Sequence, residues 1–380
     1  MPRGQTHKAF HHLTVFLWVC AGAFLCPSEV DAKVDVKFSG DVTQKFDDNI
    51  TFAESNEQSD FITELTPGVR LNYEGKKTAV EAGVNVTQQL FWRHSENHNT
   101  AEQASVKVRH ALTKQDAIFF SETFSHTYEP SSFEEEFERT GGRFSYYRNK
   151  ADLAYLRDFT EQFSARLGYG NELDITTGED LIDSYLNRAF LEGNYAFSSK
   201  DKISATYEYL NRRLKPGGSA NIHTLSGGLE HFFTGQLSLE GRAGLDIIDS
   251  FNDRLLVRPL GFVKLKNQIT EKTAVDLAFT QRHSTNPFTS DVLNSWRLSA
   301  GMISQIFKRL SGSANLFYGR GEYDASGIEE DLLGADMALT YELYKNLNLR
   351  LSYGISRTGS NVNSREYLKN VVSLGLNSEF

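Results

Sequence analysis

Beyond residue 26 the 380-residue chain has no cysteine, because both of its cysteines, Cys20 and Cys26, fall near the start. The remainder therefore can hold neither a disulfide framework nor a thiolate metal site. Proline is scarce, at 7 residues, and no apolar run after Leu25 approaches the roughly 20 residues that a membrane-crossing helix requires. A basic surplus is missing too. Forty Lys and Arg against 49 Asp and Glu leave a net charge of −9, which excludes the basic face of a nucleic-acid binder. Mean hydropathy is negative. That does not imply a water-soluble globule, since a barrel wall in lipid needs only every second residue to be apolar.

The first residues present a different pattern. Arg3 and Lys8 precede an apolar stretch from Leu13 to Leu25, followed by Val30-Asp31-Ala32. This order fits a secretory signal peptide, too short and wrongly flanked to remain in a bilayer. Leu25 in front of Cys26, rather than a small residue, argues against a lipoprotein anchor. Cleavage is expected near Ala32, dividing the chain into a signal at 1–32 and a mature part at 33–380. Arg3, Lys8, Glu29 and Asp31 cancel, so the mature charge is unchanged.

From Lys33 onward the dominant signal is period-two alternation in segments of roughly ten to fourteen residues. Val34, Val36, Phe38, Gly40 and Val42 share one face. Leu65, Pro67, Val69, Leu71 and Tyr73 share the next, then Val80, Ala82, Val84 and Val86, and late in the chain Leu347, Leu349, Leu351, Tyr353 and Ile355. Helical periodicity is nowhere sustained. Short turns such as Thr113–Asp116, Ser198–Asp201 and Thr234–Gln236 alternate with longer polar segments, among them Asp47–Asp60, His94–Glu102, Glu129–Gly142, Arg212–Asn221 and His283–Asp291. This rhythm predicts an all-β, single-domain transmembrane antiparallel barrel of about 18 strands, with short periplasmic turns and long extracellular loops. The last ten residues, VVSLGLNSEF, set Val372, Leu374 and Leu376 against Ser373, Gly375 and Asn377, and finish on Phe380. Such a segment looks like the closing strand of a bacterial outer-membrane barrel, with Phe380 as the signal read by the barrel assembly machinery. Ala117–Tyr128 fits less well. Its more apolar face also holds Glu122 and His126, which requires either a bulge that reverses the facing or a position at the rim.

The segment Phe46-Asp47-Asp48-Asn49-Ile50, followed by Ser59-Asp60-Phe61-Ile62-Thr63-Glu64-Leu65-Thr66-Pro67-Gly68-Val69, resembles the opening of the beta-barrel porin 2 type family. Members often start with an aromatic-Asp-(Asp/Ser)-Asn-Ile turn and a D-F-I-T-x-L-x-P-G strand; here Phe46 stands where Tyr is commoner. The resemblance implies an outer-membrane barrel, in some members linked with exopolysaccharide systems. It implies no substrate and no catalytic residue.

If the apolar set of each strand meets lipid, the other set lines the interior. The candidate pore-lining charges are Arg70, Glu81, Lys107, Arg109, Arg166, Arg188, Glu192, Glu208, Arg242, Arg258, Asp276, Arg297, Asp336 and Arg350, with Glu64, Glu230, Glu240, Lys264, Glu342 and Lys369 on the same face. Eighteen strands enclose more space than side chains fill, which leaves an aqueous lumen. These charges either set a field that selects solutes or simply pair across strands in a solvated wall. The acidic loop residues Asp47, Asp48, Glu54, Glu57, Asp60, Glu129, Glu134, Glu135, Glu136 and Glu138 either bind divalent cations bridging lipopolysaccharide or are hydrated loop charges. Trp92, Tyr128, Phe232, Phe233, Tyr341 and Tyr353 suit interfacial girdles, whereas Phe190 and Phe317 point inward.

His223 with Ser226, or His126 with Ser125, could be drawn as part of a hydrolytic triad, but no spacing restricts coincidence. No phosphate loop, metal cluster or nucleophile elbow stands out, so neither enzyme activity nor a cofactor or metal is expected. The reading is a porin-like channel for passive diffusion of small hydrophilic solutes or ions. Its alternatives are an export conduit or accessory barrel of an exopolysaccharide system, or a structural and adhesive barrel. The expected partners are outer-membrane lipid and lipopolysaccharide, the assembly machinery, and a homo-oligomer or polysaccharide export components.

Overall fold

The computed structural model describes residues 32–129, 143–177, 182–215, 217–252, 254–285 and 290–380. The expected signal segment, apart from Ala32, lies outside these residues, as do Glu134, Glu135, Glu136 and Glu138. The described chain forms β1 (Lys33–Asp47), β2 (Asp60–Glu74), β3 (Thr78–Phe91), β4 (Asn99–Ala111), β5 (Asp116–Thr127), β6 (Tyr146–Asp158), β7 (Phe163–Thr176), β8 (Asp183–Ala196), β9 (Asp201–Lys215), β10 (Ser219–Phe232), β11 (Leu237–Asp249), β12 (Leu255–Thr270), β13 (Thr273–Thr285), β14 (Val292–Phe307), β15 (Leu310–Tyr323), β16 (Glu329–Tyr344), β17 (Leu347–Ser360) and β18 (Tyr367–Glu379). Each strand pairs antiparallel with the next, and β18 pairs with β1, so the sheet is closed. Closure pairs the first strand with the last and leaves no free sheet edge through the body of the wall, which a lipid solvent demands of a strand-built wall.

Both ends of the strand-forming chain lie at one end of the barrel, here termed proximal. Proximal connections span two to four residues, distal ones three to eighteen. The proximal turns share a device. Thr160 Oγ1 accepts the N–H groups of Gln162 and Phe163, Thr234 Oγ1 those of Gln236 and Leu237, and Thr113 Oγ1 those of Gln115 and Asp116. A hydroxyl three residues before the first residue of the next strand thereby replaces a backbone acceptor and tightens the turn.

The apolar set stands outward around the whole circumference. Phe38, Leu225, Leu298 and Leu374 are each at least half exposed, and a continuous apolar belt of this kind is compatible with lipid, not water. Near the distal ends, outward tyrosines donate to polar groups on the neighbouring strand: Tyr169 to Asn187 (2.8 Å), Tyr209 to Asn221 (2.9 Å), Tyr318 to Asp331 (3.1 Å) and Tyr353 to Asn370 (2.8 Å). This row marks one membrane boundary; Phe233, Tyr341 and Tyr344, outward at the proximal end, mark the other. Phe232, expected in a girdle, is instead on the inner face beside Lys202.

Two further expectations change. Arg212–Asn221 is mostly strand, with only 216–218 between β9 and β10. Polar residues occupy both faces there, so alternation disappears although the ladder continues. Glu122 and His126 face outward with no shift of register in either neighbouring ladder. His126 sits one residue from the strand end, stacked 4.1 Å from Tyr147, with Nε2 and Ser145 Oγ 3.0 Å apart, and Glu122 accepts from Asn149 (3.2 Å).

Candidate pore and its distal mouth

The ladders decide which side chains share the lumen. Starting from Lys37 opposite Arg70, successive pairs carry one face around the barrel and back to β1. Arg70, Glu81, Lys107, Arg109, Arg166, Arg188, Glu192, Glu208, Arg242, Arg258, Asp276, Arg297, Asp336 and Arg350 all lie on that face, opposite the lipid-compatible set. They are not gathered into one ring. Glu81 stands opposite Lys107 and Glu192 opposite Arg166. Arg188 reaches Asp152 (3.8 Å) and Glu208 (3.5 Å), Asp276 meets Lys264 (3.4 Å), and Arg70 meets Glu379 (3.4 Å). Arg297 lies over Phe317 at 4.1 Å. Arg242, Asp336 and Arg350 stand on separate stretches of wall, opposite Phe262, Asn315 and Thr340. The same parity separates His223 from Ser226 and His126 from Ser125, one member outward and one inward in each pair. Neither pair can meet.

The lumen does not run open to the distal end. β12 and β13 pair from Thr270 and Thr273 up to Gly261 and Gln281, and then part. Among the described residues, Leu255–Leu260 keep only β11 as partner and Arg282–Thr285 only β14. Pro259, which has no N–H to offer a neighbour, lies in the parted stretch. Freed from β12, the end of β13 turns inward. His283 Nδ1 meets Asp246 Oδ2 at 2.9 Å, and Arg212 Nε donates to Thr285 Oγ1 at 2.7 Å. Val292, at the start of β14, packs on Ile222 and Ile248, with Leu210 and Leu256 beside them. These four are inward residues of β9 to β12, so the described residues flanking the β13–β14 corner, Arg282–Thr285 and Val292, occupy the lumen.

A buried ionic cluster anchors that corner. Arg212 donates to Asp174 (3.0 Å), Ser184 (2.8 Å) and Glu172 (3.3 Å); Arg148 Nε donates to Asp174 (2.7 Å), as does the Tyr146 hydroxyl. Asp174 is fully buried. Buried charges persist only when paired and hydrogen-bonded throughout. Beneath the corner a cavity of about 330 Å³ remains, lined among others by Lys150, Asp152, Arg188, Glu208, Arg242 and Asp246.

A second set of contacts ties the described ends of the connection after β5 to the first and last strands at the mouth. Lys369 on β18 meets Asp47 (2.8 Å) and Glu129 (3.1 Å), the latter on the connection after β5, and lies over the Phe52 ring at 3.9 Å. Arg143 also reaches Glu129, at 3.3 Å. Burial alone would raise the Glu129 carboxyl; Lys369, Arg143 and Lys45 outweigh it and hold the pKa down to about 2. A third anchor joins Arg258 to Asp324 (2.8 Å) in the connection after β15.

The segment resembling the porin opening closes the barrel. Asp47 Oδ1 accepts the Asn49 N–H (3.0 Å), and Asn49 Nδ2 donates to the carbonyls of Ala53 (2.7 Å) and Leu368 (2.9 Å). Asp48 takes both the backbone N–H and the side-chain amide of Asn370, each at 2.7 Å. The first strand is thus tied to the last at the distal end. At the proximal end, Phe380 and Phe38 exchange backbone hydrogen bonds of 2.9 and 3.0 Å. Ile50 packs against the inward Ile62 and Phe91. Asp60, fully buried, accepts the N–H groups of Trp92, Arg93 and His94. Asp47, Asp48, Asp60 and Glu129 are therefore anchors, not the hydrated or cation-binding loop charges expected of them. Among the described residues no group of three His, Cys, Asp or Glu side chains is placed to hold a metal.

Arg148, Asp174, Arg212, His283 and the anchoring role of Glu129 were missed from the sequence. Arg212 had a usable signal, since it continues the parity of Glu208 into what looked like a loop. The inward turn of β13 had none beyond Pro259.

The family model described as "Putative beta-barrel porin 2" matches residues 263–380. No curated protein matches the sequence. Among solved structures, the chain is similar to the outer membrane protein opdK of Pseudomonas aeruginosa (11% identity, TM-score 0.51, 91% of this chain and 99% of that one). It is similar also to OccK2 of Pseudomonas aeruginosa (10%, 0.51, 92% and 98%) and to OccAB4 of Acinetobacter baumannii (10%, 0.51, 92% and 98%). At these identities the likeness is one of fold: an outer-membrane-type barrel.

Proposed function

We propose that the chain is an outer-membrane channel through which small hydrophilic solutes or ions diffuse passively, narrowed at its distal mouth by chain that folds inward. One observation carries this reading: charged and polar side chains of the inner face line the lumen, with a cavity of about 330 Å³ beneath the folded mouth, while the outer face is predominantly apolar. A lumen built only for support would need no such charge, because apolar packing stabilises as well at lower desolvation cost. Signal-peptide export, recognition of Phe380 by the assembly machinery, and contact with lipopolysaccharide above the distal tyrosines belong to the same reading. No catalytic role is proposed.

The folded mouth gives the export-conduit alternative one specific support, since a shutter over a wide polar lumen suits a conduit opened by partners. Planar-bilayer recording separates the two. A diffusion channel shows discrete conductance steps alone, and these are expected to grow in Arg212→Gln, whose corner loses its anchor. An export conduit stays silent alone. Silence in both wild type and Arg212→Gln, with the heat-modifiable barrel intact, overturns the diffusion reading.

A further inference from the structure

The inner wall of β4 to β8 carries a stack that neither barrel closure nor the folded mouth uses. Arg109 and Arg166 both lie against Phe119, their guanidinium carbons 5.8 and 5.7 Å from the ring centre. Arg166 and Arg188 both lie against Phe190, at 5.5 and 5.0 Å. Cation and ring thus alternate from the proximal ends of β4 and β7 toward the middle of β8. Phe190 lies flat because its cross-strand partner is Gly168, where a Cβ would stand 2.2 Å from the ring. Guanidinium planes resting on aromatic faces lose rotational freedom and are pre-set for in-plane hydrogen bonding.

Two of the three cations in this stack are tied by no ion pair among the described residues. Among the described residues no carboxylate lies within ion-pair distance of Arg109 or Arg166, and both side chains are exposed. Glu192, opposite Arg166, is engaged with the amide of Asn194 at 2.7 Å. Arg109 stands opposite Ala79 and Phe119, which offer no charge. Arg188, by contrast, is held by Asp152 and Glu208. Two cations that share one ring on the lumenal surface raise the positive potential around that ring. A carboxylate matches the fork of a fixed guanidinium through two parallel hydrogen bonds, and the neighbouring rings supply apolar surface for the hydrocarbon part of such a ligand.

We propose that Arg109 and Arg166, held by Phe119 and Phe190, form a lumenal binding site for small organic carboxylates with a flat apolar body. The proposal rests on the channel reading and adds to it a ligand class.

Calorimetric titration of the detergent-solubilised barrel with sodium benzoate and with sodium acetate, at low ionic strength, tests it. Wild type is expected to bind benzoate at least tenfold more tightly than acetate. Arg166→Gln and Arg109→Gln are each expected to weaken benzoate binding at least tenfold. Arg350→Gln, which removes an inward arginine on β17, is expected to change it less than twofold. Heat-modifiable migration of each variant confirms that the barrel has formed. Equal benzoate affinity in all four proteins, no binding in the folded wild type, or equal affinity for the two anions overturns the proposal. Binding without conductance would remove the channel reading and leave the site standing; conductance with benzoate binding indifferent to Arg109 and Arg166 would remove the site alone.

Discussion

Lys369 is the residue on which the distal mouth turns. It neutralises Asp47 and Glu129 together while nearly buried, so Lys369→Met would strip Asp47 of this cation and leave Glu129 to Arg143. Removing one partner of a buried ion pair costs about 3–5 kcal/mol, and the temperature at which the barrel loses its compact gel migration should fall accordingly. Glu129 adds a pH dependence of definite sign. Its folded pKa, about 2, lies below the ordinary value for a glutamate. The contribution is therefore fully present above about pH 4.3 and is lost as pH falls through the folded value. Protection of the connection after β5 against an acid-stable protease should persist at pH 5 and vanish near pH 2. In Glu129→Gln the protection should already be weak at pH 7. The sequence showed Glu129 only as one acid among several in a polar stretch. Its role depends on Lys369, 240 residues later, and only the closed barrel brings the two together.

At the scale of elements, alternation made the facing of most strands legible, because lipid outside and water inside impose opposite chemistries on neighbouring residues. It failed where both sides are polar, as in Arg212–Lys215 beyond the distal tyrosine row, and where one strand leaves its neighbour, as β13 does above Gln281. The seam between β1 and β18 yields a prediction at this scale. Asp48→Ala loses both hydrogen bonds to Asn370, and Asp48 acts where first and last strand must find each other. Hydrogen bonds to a charged group contribute about 1.5–3 kcal/mol each, so the fraction of heat-modifiable barrel should drop and refolding into detergent should slow. Glycine opposite a lumenal ring recurs on the other side of the barrel, where a Cβ at Gly334 would stand 2.1 Å from Phe317. Gly334→Val must swing Phe317 away from the wall at a cost of about 1–3 kcal/mol, measurable as earlier unfolding in urea with lipid present.

Considered whole, the molecule is a sealed wall whose chemistry changes sign across one layer of backbone. The strand count and closure followed from segment length and the rhythm of turns; the inward corner did not, since a loop's direction depends on contacts between residues far apart in sequence. Because the strands carry no cysteine, single cysteines along β11 read the wall directly in lipid vesicles. Cysteine placed at Ser238, Glu240 or Arg242 should react with a charged, membrane-impermeant thiol reagent, and cysteine placed at Ala243, Leu245 or Ile247 should stay unreactive until detergent is added. Equal reactivity at odd and even positions, or the opposite order, would contradict a water-filled barrel with lipid outside.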